Sequence, residues 1–155
     1  MMLLAQNPDI AAELRAAPNL IETFTEEVLR LESPSAGFFR IAIADSELRG
    51  VHIPKGSMVH LRFAAANRDP DHFESPKKLD LKRKNAQTHL GFSQGPHFCL
   101  GSPYARLELN TAFRTLVQTF DDIRLAPDAP PPLHVPGLSL RTLKALPITY
   151  RRIAN

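Results

Sequence analysis

Apolar residues along the chain change their spacing several times, and each change predicts a different element. Asn7 followed by Pro8 reads as a helix cap and first-turn residue, after which Ile10, Ala11 and Leu14 share one face until Pro18 ends the run. A second helix is predicted from Asn19, with Leu20, Phe24, Val28 and Leu31 at helical spacing among acidic Glu22, Glu26 and Glu27, stopping before Pro34. Its apolar stripe is expected to pack inward.

Beyond Pro34 the spacing becomes alternation. Phe39, Ile41 and Ile43 fall on one side, followed by Val51 and Ile53 and then Met58, Val59 and Leu61. With turns at residues 45–50 and 54–56, the pattern predicts an antiparallel β-meander. Residues 67–88 have no sustained period and carry the basic run Lys77, Lys78, Lys82, Arg83, Lys84, so a long loop is expected, of the kind that usually serves function. Ser102-Pro103 starts a helix carrying Leu109, Ala112, Phe113, Leu116, Val117 and Phe120. After the proline cluster at residues 130–132, Leu138, Leu140, Leu143 and Leu146 form a strand-like pattern ending near Tyr150.

Composition narrows the class only slightly. A chain of 155 residues, 43% hydrophobic and 23% charged, can bury one domain-sized core. Fourteen prolines against seven glycines point to many ordered turns. The apolar start at residues 1–5 is stopped by Gln6, Asn7 and Pro8, and no run approaches the length of a membrane span, so neither signal peptide nor membrane contact is expected. The net charge of +3 comes from interleaved basic and acidic residues, which argues against a nucleic-acid partner.

The one cysteine excludes an internal disulfide. Cys99 is therefore an inert buried thiol, a nucleophile or a metal ligand, in a reducing compartment for which the cytoplasm is the natural expectation. Its setting is Gly91-Phe92-Ser93-Gln94-Gly95-Pro96-His97-Phe98-Cys99-Leu100-Gly101, immediately before the strongest helix. The glycines let a flat cofactor approach the backbone, and the positive end of the helix lies close to the sulfur. Taken singly, Glu27 and Arg30 read as a surface ion pair, Arg40 as an exposed strand residue and His97 as a loop histidine.

The pattern Phe92-x-x-Gly95-x-His97-x-Cys99-x-Gly101, continued by Ala105-Arg106-Leu107-Glu108, resembles the haem-binding signature of the cytochrome P-450 superfamily, soluble bacterial type. Ser93 stands where a glycine is common. Glu27-x-x-Arg30 looks like the family's Glu-x-x-Arg helix, Gly50-Val51-His52-Ile53-Pro54-Lys55-Gly56 like its hairpin, and Asn67-Arg68-Asp69-Pro70 with Phe73 and Pro76 like the loop before its haem segment. In that loop the family's usual arginine is matched by Lys78, which cannot reproduce planar bidentate pairing.

The resemblance implies an α+β fold. The expected unit is the helix-rich carboxy-terminal part of the cytochrome P-450 fold, with a small antiparallel β-sheet and long loops, as one partial domain over residues 1–155. It implies haem b, iron protoporphyrin IX, with Cys99 as the thiolate metal ligand. The cofactor-binding residues it implies are Arg40, Phe92, Gly95, His97, Cys99 and Gly101, with Arg40 and His97 meeting the propionates, and Glu27 and Arg30 would be structural. A haem thiolate promotes cleavage of the oxygen–oxygen bond.

The activity implied is monooxygenation of a small apolar organic substrate, with electrons from a ferredoxin- or flavodoxin-type donor steered by residues 77–84 and Arg106. Family members are commonly more than twice this length, and the chain has no Ala-Gly-x-Asp/Glu-Thr segment for oxygen activation. The amino-terminal half is thus expected to be absent, with self-association or a complementing chain covering the exposed face. Two alternatives stand beside this reading: a noncatalytic haem-binding or protein-interaction remnant of a truncated gene, and peroxide-driven oxidation.

Overall fold

The computed structural model describes residues 1–154, and in it the helical periodicities become α1 (Met2–Gln6), α2 (Pro8–Ala16), α3 (Ile21–Leu31), α4 (Phe63–Ala66) and α5 (Ser102–Thr119). Pro8 occupies the first turn of α2 as the sequence predicts. Asn7, however, does not cap α2 with its side chain, which instead donates to the Leu3 carbonyl at 2.8 Å and closes α1. The predicted second helix starts with a single 3-10 turn, Pro18–Leu20, before α3 proper.

The inward stripe of α3 forms much of the core. Ile21 and Phe24 pack with Leu4, Ala11, Leu14, Leu81, Phe113 and Val117, and the Phe24 and Phe113 rings meet edge to face with centroids 4.9 Å apart. Two polar contacts fix α5 on this core. Arg15 reaches across from α2 to donate to the carbonyls of Val117 in the last turn of α5, at 2.7 Å, and of Phe120 just beyond it, at 3.0 Å, and Thr25 donates to Asn110 at 2.6 Å.

The expected meander is corrected by the strand pairing. β1 (Phe38–Ile41) pairs antiparallel with β4 (Met58–Leu61), Phe38 opposite Leu61 and Arg40 opposite Val59. β2 (Ser46–Leu48) and β3 (Val51–Ile53) form a separate hairpin between them. Arg49 and Gly50 both take positive φ, the conformation that closes a tight hairpin, so β2 and β3 are consumed by each other. The expected turn at residues 45–50 is thereby corrected, since it contains β2, and alternation carries no information about which strand is the partner.

The terminal expectation is corrected in the same way. α5 ends at Thr119, and Phe120 begins β5 (Phe120–Leu125), paired with β6 (Ile148–Arg152). Leu140 and Leu143 make only isolated bridges, to Ser35 and His134. Ile123 is buried on β5, whereas Asp122 takes φ 51 at the irregularity that interrupts the ladder.

Residues 67–88 are a long connection of turns, as predicted, wrapped around the buried ring of Phe73. Many large apolar side chains lie open to solvent, among them Ile43 at 89% and Leu100 at 97% exposure, with Ile41, Met58, Phe98 and Leu107 also exposed. No helix among the described residues is long and apolar enough to cross a membrane.

Candidate functional site

The loop that presents Cys99 is held at its start by buried polar groups. Asn67, fully buried, accepts the Leu90 N–H at 2.6 Å, and His89 Nδ1 accepts the Gly91 N–H at 2.9 Å. A Cβ on Gly91 would lie 2.6 Å from Ser33 Oγ and 2.9 Å from His89 Nδ1, so only glycine fits there. Ser93 and Gly95 then turn the chain at φ 63 and φ 68. The left-handed conformation of Ser93 explains in physical terms why glycine suits this position, since a Cβ is strained there.

A 3-10 turn at Gly95–His97 follows, and the Cys99 N–H closes back on the Phe92 carbonyl at 2.9 Å. The Ser102 N–H donates to the Cys99 carbonyl at 3.1 Å, where α5 begins. Cys99 is a free and exposed thiol. It shares a cleft of about 590 Å³ with Phe92 and His97, walled by Leu29, Phe38, Leu109 and Ala112. Phe92, His97 and Cys99 thus line one cleft, a Cβ on Gly101 would stand 3.9 Å from the sulfur, and Gly95 lies on the same loop with open space beside it rather than on the cleft wall. Arg40 is not on the cleft wall, and its guanidinium donates to the Phe39 carbonyl at 2.9 Å.

The donor set suits the haem that the sequence resemblance implies. A single free thiol opening on the cleft suits an iron held mainly by its own macrocycle. The walls around the sulfur are mostly apolar, as a porphyrin face requires, with Ser35 and Glu108 among the polar lining. Bound there, a haem thiolate would supply the electron-rich iron needed to cleave an oxygen–oxygen bond.

Behind the cleft lies an ion network that reverses the expectation about Lys78. Glu27 and Arg30 are fully buried, and Arg30 pairs bidentately with Glu27 at 2.5 and 3.0 Å. Arg30 also donates to the carbonyls of Asn67 at 2.9 Å, Pro76 at 2.6 Å and Lys78 at 3.1 Å. The third member is Arg83, whose Nε stands 3.0 Å from Glu27 Oε1 at an angle that makes it a charge contact, while Nη1 donates to Glu74 at 2.7 Å. Both guanidinium groups lie over the Phe73 ring, at 5.0 and 6.0 Å. Lys78 contributes only its carbonyl and its side chain faces solvent. The arginine sought at Lys78 therefore enters five residues later, because the loop turns back on itself between the two positions.

A second network uses the neighbouring Glu26. Its carboxylate accepts from Arg106 at 2.6 and 3.0 Å and lies 3.1 Å from His89 Nε2. Burial alone would raise the Glu26 carboxyl, but the hydrogen bonds from His89 and Arg106 outweigh it and bring it down to about 2. Arg106 is thus neutralised by Glu26 and Arg83 is turned inward, so neither belongs to the free basic surface expected for a partner. Sequence reading missed Glu26, Asn67, Arg83, His89 and Gly91 as site residues. The one available signal was that Glu26 adjoins Glu27, and nothing local indicates that the two carboxylates serve different loops.

The family model for cytochrome P-450 matches residues 1–147. The chain is 40% identical over 150 residues to the biotin biosynthesis cytochrome P-450 of Bacillus subtilis, covering 97% of this chain and 37% of that protein. It is 39% identical over 153 residues to the cytochrome P-450 monooxygenase PikC of Streptomyces venezuelae, covering 98% of this chain and 36% of that protein. Among solved structures, the substrate-free Mycobacterium marinum cytochrome P-450 CYP150A6 superposes with a TM-score of 0.93 at 33% identity, over 99% of this chain and 39% of that one. The chain spans about a third of the length of these relatives.

Proposed function

Because the chain belongs to the cytochrome P-450 family, whose members bind haem b, we propose that Cys99 is the thiolate ligand of haem iron and that the chain carries the haem-thiolate part of a monooxygenase acting on a small apolar organic substrate. The observation that carries this reading is the placement of the free Cys99 thiol in an apolar cleft, on a loop closed by the Cys99 N–H to the Phe92 carbonyl.

In that reading Cys99 holds the iron, Phe92 packs beside the sulfur, and the bend at Gly95 leaves open space where a side chain would otherwise stand. His97 faces one propionate from the cleft wall. Arg40 meets the other after exchanging its bond to the Phe39 carbonyl for the carboxylate. Phe38, on the same strand, forms an apolar wall on the substrate side. Electrons come from a small acidic carrier of the ferredoxin or flavodoxin type, attracted by Lys77, Lys78, Lys82 and Lys84, which are exposed.

The test is the absorption spectrum of the chain reconstituted with haem, reduced and exposed to carbon monoxide, beside Cys99→Ala. A thiolate-type Soret band present in the wild type and lost in Cys99→Ala is expected. Identical spectra from the two proteins would overturn the assignment. A second reading, a haem-binding or interaction module without turnover of its own, is favoured by the open apolar face that includes Ile41, Ile43 and Met58. Haem binding without oxidation of any apolar substrate, with either a reductase system or peroxide, would select it.

A further inference from the structure

The Cys99 loop is tied at both ends to a single carboxylate. On the side leading into the loop, the Gly91 N–H occupies His89 Nδ1, so the ring proton resides on Nε2 and is donated to Glu26 Oε2 at 3.1 Å. On the side leading out, Arg106 of α5 forks onto both Glu26 oxygens, at 2.6 and 3.0 Å, and its guanidinium lies 4.8 Å above the Phe92 ring. Phe92 is the residue whose carbonyl accepts the Cys99 N–H at 2.9 Å. Two short chains of contacts therefore run from α3 to the thiol loop, one through His89 and Gly91, the other through Arg106 and Phe92.

We propose that Glu26 is a positioning residue for the Cys99 thiol, clamping the start of its loop through His89 and the end through Arg106. The two acidic neighbours on α3 thus divide their work. Glu27 holds residues 76–83 through Arg30, Arg83 and the Asp80 N–H, and Glu26 holds residues 89–106. His89 is almost wholly buried and Arg106 partly so, which keeps water from competing for the carboxylate on the histidine side. The low-lying Glu26 carboxyl keeps it an acceptor for both donors across the working pH range. Gly91 is required by the same clamp, because a side chain there would strike the His89 ring.

This inference deepens the assignment of Cys99 as a haem ligand and rests on it, but the clamp can be tested without haem. Backbone amide hydrogen exchange in the full chain is measured for the wild type, Glu26→Gln, His89→Ala and Arg106→Gln. The Gly91 amide is expected to exchange about tenfold faster in Glu26→Gln and His89→Ala, and the Cys99 amide about tenfold faster in Glu26→Gln and Arg106→Gln. The Phe113 amide in the core should stay within about twofold, on the same scale. Loop amides unchanged in all three variants, or loop and core amides accelerated together, would overturn the clamp.

A second readout follows the thiolate-type fraction of the Soret band in the haem-loaded, reduced, carbon monoxide-bound protein. That fraction is expected to fall by half or more in Glu26→Gln, and to be kept in Arg151→Gln, which breaks an ion pair with Asp121 on the distant β5–β6 ribbon. Equal fractions in both variants would remove Glu26 from the positioning of the thiol. If the wild type takes up no haem, the ligand assignment fails and amide exchange alone decides the clamp.

Discussion

Replacing Arg83 with glutamine tests the network that ties the long loop to α3. Arg83 is 8% exposed and makes three kinds of contact: the 3.0 Å charge contact to Glu27, a 2.7 Å bond to the Glu74 carbonyl, and packing over Phe73. Removing one partner of a buried ion pair typically destabilises by about 3–5 kcal/mol when the remaining charge is left alone. Here Glu27 would keep both Arg30 bonds and the Asp80 N–H at 2.9 Å, so the loss is smaller. One charge contact and one strong hydrogen bond amount to roughly 2–3 kcal/mol.

Arg30→Gln should cost more, about 3–5 kcal/mol, because it takes away the bidentate pair and three carbonyl contacts together. Lys78→Gln should leave the midpoint unchanged, since only the Lys78 carbonyl participates. The assay is urea unfolding followed by circular dichroism, at one protein concentration to hold any association fixed. A loss for Lys78→Gln equal to that for Arg83→Gln would refute the assignment of Arg83 as the third member.

Further outcomes follow from other features. The Glu26 carboxyl is lowered from 4.5 to about 2, so the stability it contributes is fully present above about pH 4.5 and is lost as pH falls toward 2; the thermal midpoints of wild type and Glu26→Gln should converge over that interval, and a constant gap would contradict this. Gly91→Ala should destabilise by about 1–3 kcal/mol in thermal melts, with partial relief on adding Ser33→Gly, and an unchanged midpoint would exclude the close contact. The exposed apolar side chains, among them Ile41, Ile43 and Met58, should drive self-association, seen as a mass above the monomer in solution scattering; a strictly monomeric species would count against it. Lys82→Glu should slow reduction by an acidic ferredoxin at low salt, and a salt-independent rate would refute electrostatic docking.

Much of this protein is legible in its residues alone. The helical spacing of Leu20, Phe24, Val28 and Leu31 located α3 to within two residues, and Ser102-Pro103 located the start of α5, because an amphipathic period and a proline at the first turn are local signals. The cysteine loop was legible for a related reason: glycines at fixed spacing around one thiol leave their mark in the residues themselves. Family membership followed from that local pattern.

What the sequence could not determine is everything that depends on which distant segments meet. Alternation marked β1, β3 and β4 as strands, whereas β2 lies inside residues 45–50, read as a turn, and its pairing with β3, which leaves β1 to take β4, is decided by turn geometry at Arg49-Gly50. Lys78 looked like the place of the network's missing arginine by counting along the chain. Arg83 fills it because the loop folds back over Phe73 and carries that guanidinium inside. Glu26 and Glu27 are neighbours in sequence with the same chemistry, and only their separation around the turn of α3 sends one carboxylate to the thiol loop and the other to the buried arginines. Charge and spacing are properties of the chain, whereas the partner of each buried charge is set by the tertiary packing that brings distant segments against it.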